Sequence, residues 1–182
     1  MPLRTLTPLL ALLVASCSGR VAVTLDEAAV RTVDQATIFA KYMGSRAEGP
    51  ARQVLQLKIS SQTELLKHFE DQGKQLQVRC SVDGTSNGKA YNDSAFGPFP
   101  EATSSATRHR YTIYAFIDLK ADAAEYKNGK PASTLNLKID RFDSLRCQLV
   151  GVEMAPWPFL KSNQFAVSAS TFQALLRQAH KQ

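Results

Sequence analysis

The chain has 182 residues, 44% of them apolar and 21% charged, with a formal net charge of +6. That length suits one domain plus a leader, and the composition allows a buried core. The positive balance favours acidic partners or anionic lipid headgroups, but the basic residues are scattered and no aromatic-rich basic motif accompanies them, which argues against nucleic acid.

Arg4 supplies a positive start, Leu6 to Val14 an apolar run, and the small residues Ala15 and Ser16 follow. This is the layout of a secretory signal peptide, too short for a membrane span. It ends in Val14-Ala15-Ser16-Cys17, which resembles the bacterial lipobox. The resemblance covers residues 1–17 and implies cleavage before Cys17, acylation of Cys17 and a lipid-anchored protein. An ordinary cleaved signal with Cys17 near the cut is the competing reading. Asp after the lipidated cysteine is a retention signal in some bacteria; Ser18 stands there, so the expected address is the outer membrane, facing the periplasm. Residues 1–16 are then a signal peptide, 17–50 an anchored segment with a helix, and 51–182 a globular domain, with 17–182 forming one domain. Loss of Arg4 with the leader lowers the net charge from +6 to +5.

Arg20 to Thr24 can form a short strand. Thr24-Leu25-Asp26-Glu27 reads as a capping box, and Ala29, Val33, Ala36, Phe39 and Met43 recur at helical spacing, so a helix is expected over Asp26–Met43, stopped by Gly44. The β-branched residues between Val30 and Tyr42 leave a strand open for part of it. Gly44 to Arg52 is a turn. Leu55, Leu57 and Ile59 alternate as a strand. Ser61-Gln62-Thr63-Glu64 is a second capping box, opening a short helix over Leu65, Leu66 and Phe69 that closes near Gly73. Leu76, Val78, Cys80 and Val82 alternate in the next strand.

Asp83 to Arg108 is rich in Gly, Ser, Asn, Pro and Ala and reads as a long loop. Tyr111 to Leu119 is apolar on both faces, the mark of a strand in the middle of a layered structure. Asn128-Gly129 makes a turn. Leu135, Leu137 and Ile139 form a strand, Leu145 to Val152 another, and Phe165 and Val167 a last short one. Between them Met154 to Ser162 is a Pro- and Trp-rich loop. Ser170-Thr171-Phe172-Gln173 caps a C-terminal helix with Phe172, Leu175, Leu176 and Ala179 on one side. The expected fold is α+β or mainly β: an antiparallel sandwich-like sheet with two or three capped helices.

Three cysteines in an exported chain require an explanation. With Cys17 assigned to lipid, Cys80 and Cys147 remain, each on the apolar face of a strand, and a disulfide between them is expected in an oxidising compartment. Such a bridge would stabilise by about 4 kcal/mol on the chain-entropy model. No CxxC or HxxxH spacing accompanies either cysteine, so no metal is expected.

Gly84-Thr85-Ser86-Asn87-Gly88 matches the letters of a nucleophile elbow, with His109 and His180 downstream. No helical period follows Ser86, however, and Asn87-Gly88 is a turn dipeptide. Asp83-x-Thr85-x-Asn87-Gly88 echoes a calcium loop, but Ser94 stands where a bidentate Glu is required. No catalytic residue and no cofactor is therefore assigned, and a lipid-anchored serine hydrolase is the less favoured reading. Two loops rise above background. Trp157 and Phe159 lie among stiffening prolines, and Tyr91, Phe96 and Phe99 lie in the Asp83–Arg108 segment; both are candidate partner-binding surfaces. For each, the competing reading is a cap over the core. The expectation is a non-enzymatic, membrane-anchored protein that binds a protein partner, either as an immunity protein against a secreted toxin or as an accessory subunit of an envelope or secretion complex.

Overall fold

The structure, a computed structural model, describes residues 20–34, 51–83, 95–102, 107–117, 126–127, 130–131, 137–138, 141–152 and 160–180. Its strands are β1 (Arg20–Val21), β2 (Thr24–Asp34), β3 (Ala51–Ser61), β4 (Gln75–Asp83), β5 (Ala95–Pro100), β6 (His109–Phe116), β7 (Tyr126–Lys127), β8 (Lys130–Pro131), β9 (Ser144–Val152), β10 (Lys161–Ser162) and β11 (Phe165–Ser168). Helix α1 (Leu65–Asp71) follows β3, and α2 (Ala169–Ala179) follows β11.

Two sheets carry the fold. In the first, β2, β3, β6 and β5 are neighbours in that order, all antiparallel. In the second, β9 pairs along its whole length with β4, and along its other edge with β11 and then β10; β1 adds parallel to β10. β7 and β8 form a separate antiparallel pair. One core joins the two sheets. Leu55, Leu57, Ile59 and Ile113 from the first meet Val78, Leu145, Leu149 and Val167 from the second, with Phe69 of α1 and Phe172 and Leu176 of α2 in the same cluster. The architecture is the expected antiparallel, mainly β arrangement with two helices, and β6 lies inside its sheet as its two apolar faces require.

The disulfide joins the second sheet at its middle. Cys80 and Cys147 are register partners on β4 and β9, bonded to each other and buried. Strict alternation on both strands places every second residue in the core, and the two cysteines fall on that set.

Several elements differ from the sequence reading. The stretch Asp26–Asp34 is not helical: it belongs to β2, which pairs with β3 from Thr24↔Ser60 to Asp34↔Ala51. A bulge between Leu25 and Glu27 puts Leu25, Ala28 and Val30 against one core. A bulge inserts one residue into the alternation, so two inward positions fall three apart and imitate a helix. Once β3 offers a ladder, the branched Val30, Thr32 and Val33 favour the sheet. Residues 35–43 of the expected helix lie outside the described residues.

The loop expected over Asp83–Arg108 contains β5, again disguised by a bulge, this time between Phe96 and Phe99. Leu137 and Lys138 form a turn rather than a strand; Leu137 is buried and its N–H donates to the Ile117 carbonyl at 3.2 Å. An isolated apolar residue can fill a core from a turn as well as from a ladder.

Both helix starts are displaced from the expected caps. At α1 the cap position is Glu64, without a side-chain bond, while Ser61 accepts from the Thr63 N–H and donates to the Ala22 carbonyl. At α2 the cap is Ser168, whose hydroxyl accepts from the Thr171 N–H at 3.2 Å. The C-terminus of α1 is as expected. Gly73 adopts φ +66°, its N–H reaches the Glu70 carbonyl, and the Lys74 N–H reaches that of Phe69, the paired closure a left-handed glycine permits.

Candidate functional site

The outer face of the β2-β3-β6-β5 sheet is the candidate site. Alternation decides what it carries. Leu55, Leu57 and Ile59 of β3 point into the core, so their neighbours Val54, Gln56, Lys58 and Ser60 point outward. Across the ladder these outward residues meet Phe116, Tyr114, Thr112 and Arg110 of β6. On β5, Phe96 pairs with Tyr114 and Phe99 with Thr112, the bulge between them absorbing one residue. Without that extra residue Pro98, not Phe99, would stand opposite Thr112.

One half of this face is aromatic. Phe96 meets the Phe116 ring edge-on, with centroids 5.2 Å apart, and Phe99 is tilted against Tyr114 at 5.8 Å. Val54 and Phe116 are buried, whereas Val33, Phe96, Phe99 and Tyr114 are half-buried around them. The Arg52 guanidinium stands 6.0 Å from the centre of the Phe116 ring, the outer limit of a cation–π contact. Such edge-on and tilted pairs are the favoured aromatic geometries and hold rings in place.

The other half is polar. Lys58 pairs with Glu27 at 2.7 Å and Arg108 with Asp26 at 2.6 Å. Asp26 also accepts from Ser60, and Thr112 donates to Glu101 at 2.6 Å. The bond and the charge of Glu27 hold the Lys58 ammonium above its usual pKa. Asp26, Glu27, Lys58, Glu101, Arg108 and Arg110 border a shallow cleft of about 510 Å³. Beside it Thr24, Ser60, Ser61, Thr63 and Thr107 border a hydroxyl-lined cleft of about 620 Å³ that shares Arg108. Paired charges and fixed hydroxyls give a surface preset for hydrogen bonding.

Of the residues singled out from the sequence, Phe96 and Phe99 sit together on this face. Cys80 and Cys147 lie in the core, in the other sheet. Cys17, Tyr91, Trp157 and Phe159 lie outside the described residues, as does Ser86. His109 opens β6 opposite Ser61, whose hydroxyl is donated to Ala22 instead, and His180 is exposed after α2. Asp83, first residue of the calcium-like motif, has its carboxylate engaged by Arg146 and Ser144. Among the described residues no three His, Cys, Asp or Glu form a group able to hold a metal ion, and no helix among them is long and apolar enough to cross a membrane.

Sequence reasoning missed the polar half entirely. Asp26 and Arg108 are far apart in the chain, and only the ladder brings them together. The Gly97-Pro98 pair between two phenylalanines was the available signal for the aromatic half. Comparison with protein-family models, with curated proteins and with solved structures returns no match.

Proposed function

We propose that this protein is a lipid-anchored, periplasm-facing lipoprotein of the outer membrane, and that it binds a protein partner through the outer face of the β2-β3-β6-β5 sheet. The observation that carries the reading is the buried Cys80–Cys147 disulfide. A structural disulfide belongs to an oxidising compartment, and pairing these two leaves Cys17, at the end of the leader, as the remaining cysteine of three. Half-buried aromatic rings beside fixed polar groups have the makeup of an interface core with its rim. The basic net charge favours an acidic partner.

Within this reading the role is that of an immunity protein, which blocks a toxin entering the periplasm by covering it. Metabolic labelling with palmitate tests the anchor: wild type should incorporate label and Cys17→Ser should not. Co-expression with a toxin directed to the periplasm, taken from any secreted effector found encoded next to the gene, tests the role. Cells should survive with wild type and die with a Phe96→Ala/Phe99→Ala variant that is still folded. Survival with that variant would place recognition elsewhere.

A further inference from the structure

Two clefts adjoin at Arg108, at the polar end of the β2-β3-β6-β5 face. The first, about 510 Å³, is bordered by Asp26, Glu27, Glu101, Lys58, Arg108 and Arg110. The second, about 620 Å³, adds the hydroxyls of Thr24, Thr63 and Thr107 and the Gln62 amide. Both volumes lie in the range of small-molecule sites, about 300–1,000 Å³.

Their charges decide which class of ligand suits them. Three acids and three bases border the first cleft, so its formal charge is zero. The acids are also engaged. Lys58 holds Glu27 at 2.7 Å, Arg108 holds Asp26 at 2.6 Å, and Glu101 accepts from Thr112 at 2.6 Å. An ionic ligand would have to displace one of these partners, whereas a neutral one needs no such exchange. A carboxylate has about four lone-pair sites and a guanidinium five N–H donors, so a paired group can bond a further hydroxyl and keep its partner. The outer edges of the pairs are open to a ligand, the Arg108 side chain being 52% exposed.

A sugar hydroxyl both donates and accepts, and a row of them is matched by donors and acceptors in close alternation. The threonine hydroxyls and the Gln62 amide carry that mixture on into the second cleft. Apolar surface stands beside the first. Phe99 is opposite Thr112, which is itself opposite Lys58, and the ring is half-buried and tilted over Tyr114. An aromatic face carries partial negative charge, which attracts the polarised C–H groups on one side of a pyranose ring.

We infer that the two clefts around Arg108, with Phe99 at their border, bind a neutral oligosaccharide. One sugar ring lies against Phe99, its hydroxyls bond to the Glu27–Lys58 and Asp26–Arg108 pairs, and the saccharide continues past Arg108 among the threonines. This activity goes beyond binding a protein and rests on neither the lipid anchor nor the protein partner.

The test titrates the wild-type protein with cellotetraose and with chitotetraose, both neutral, and with tetragalacturonic acid as the anionic control, followed by NMR. At least one neutral probe should bind saturably and move the Phe99 ring and Thr107–Arg108 signals, and the anionic probe should bind no more tightly. Arg108→Gln should weaken that binding about tenfold or more, the effect of losing a hydrogen bond to a charged group. Phe99→Ala should weaken it about threefold to tenfold, the worth of an aromatic contact. Arg177→Gln, exposed on α2, should leave it unchanged. Unaltered amide spectra outside the clefts report that each variant is folded. Three results would each overturn the inference: no binding of either neutral probe, tighter binding of tetragalacturonic acid than of both, or equal affinity in wild type and Arg108→Gln.

Discussion

Cys80 and Cys147 face each other across β4 and β9 with Cα atoms 4.1 Å apart, flanked in the same ladder by Val78↔Leu149 and Val82↔Leu145. The bridge joins residues 67 apart in sequence, and closing a loop of that size removes about 4 kcal/mol of unfolded-state entropy on the chain-entropy model. A Cys80→Ala/Cys147→Ala variant should therefore lose about 2–5 kcal/mol, much of a typical domain's stability. Chemical denaturation under non-reducing conditions measures this directly. Unchanged unfolding midpoints would mean that β4 and β9 hold together without the bridge.

Alternation made that pair legible. Where strands kept a strict period of two, as at Leu76–Val82 and Leu145–Leu149, sequence and structure agree down to the residue opposite. β6 was equally clear, because apolar residues on both faces leave only an interior position. Of the misread strands, β2 and β5 each contain a bulge, and the two-residue β10 falls at the end of the Met154–Ser162 stretch expected as a loop. A bulge changes the period by one residue. In β2 it broke the alternation at Leu25–Ala28. The capping-box letters and the four-residue step from Ala29 to Val33, which one face of a strand shares with a helix, were left to suggest a helix. In β5 it hid Phe96 and Phe99 in an apparent loop. The polar half of the candidate site was illegible for another reason: its ion pairs bridge strands, and no local pattern records which strands become neighbours.

Asn163 should be the residue on which the N-terminal entry depends. Its amide meets both the N–H and the carbonyl of Val23, as an added strand would. Asn163→Ala leaves both groups without this partner and should cost about 2 kcal/mol, within the range for losing the partner of a largely buried polar group. Amide exchange at Val23 should accelerate well before global unfolding. If Val23 remains protected in the variant, the clamp is not what holds β1 and β2 in place.

Gly97 adopts φ +121°, and a Cβ there would stand 2.8 Å from the Thr112 carbonyl oxygen. Both the conformation and the contact reject a side chain, so Gly97→Ala should cost at least about 1–3 kcal/mol and shift Phe96 and Phe99 off the outer face. Gly73 provides the contrast. Its φ is +66° but a Cβ would meet nothing within 4 Å, so Gly73→Ala should cost only the conformational penalty of about 1–2 kcal/mol. Thermal melting of the two variants side by side separates strain from collision.

The Tyr111 hydroxyl accepts the Leu65 N–H at 2.8 Å, and the residue is 2% exposed. Tyr111→Phe keeps the packing but strands that N–H at the start of α1, at a cost of about 1–3 kcal/mol. Burial raises the phenol pKa above 10.0, the Leu65 N–H opposing and the Glu64 carboxylate adding to the rise. A raised folded value means the unfolded chain releases its proton first. This contribution is therefore complete below the ordinary tyrosine pKa and is lost as pH climbs through the folded one. Urea midpoints between about pH 9 and 11, bracketing the ordinary tyrosine value, should fall less steeply for Tyr111→Phe than for wild type. Parallel slopes would refute the assignment.

Phe99 and Phe116 belong to one aromatic cluster but should fail differently. Phe116 is 4% exposed, with the Phe96 ring against it and Arg52 over its face, so Phe116→Ala opens a cavity and should cost about 3–5 kcal/mol of stability. Phe99 is half-buried and tilted over Tyr114. Truncating it removes contact area from a surface already in touch with water, so the fold should lose only about 1 kcal/mol, the worth of an aromatic pair. Binding energy at an interface concentrates in a few large side chains that are desolvated by the partner, and a ring held at a bulge loses little freedom when it is covered. Phe99→Ala should therefore weaken partner binding by about 2 kcal/mol or more, the threshold of a hot spot, in calorimetric titrations of the folded variant. Trp157→Ala, measured in parallel, distinguishes this face from the proline-flanked loop. If Trp157→Ala loses binding and Phe99→Ala does not, the outer sheet face is structural and recognition belongs to that loop.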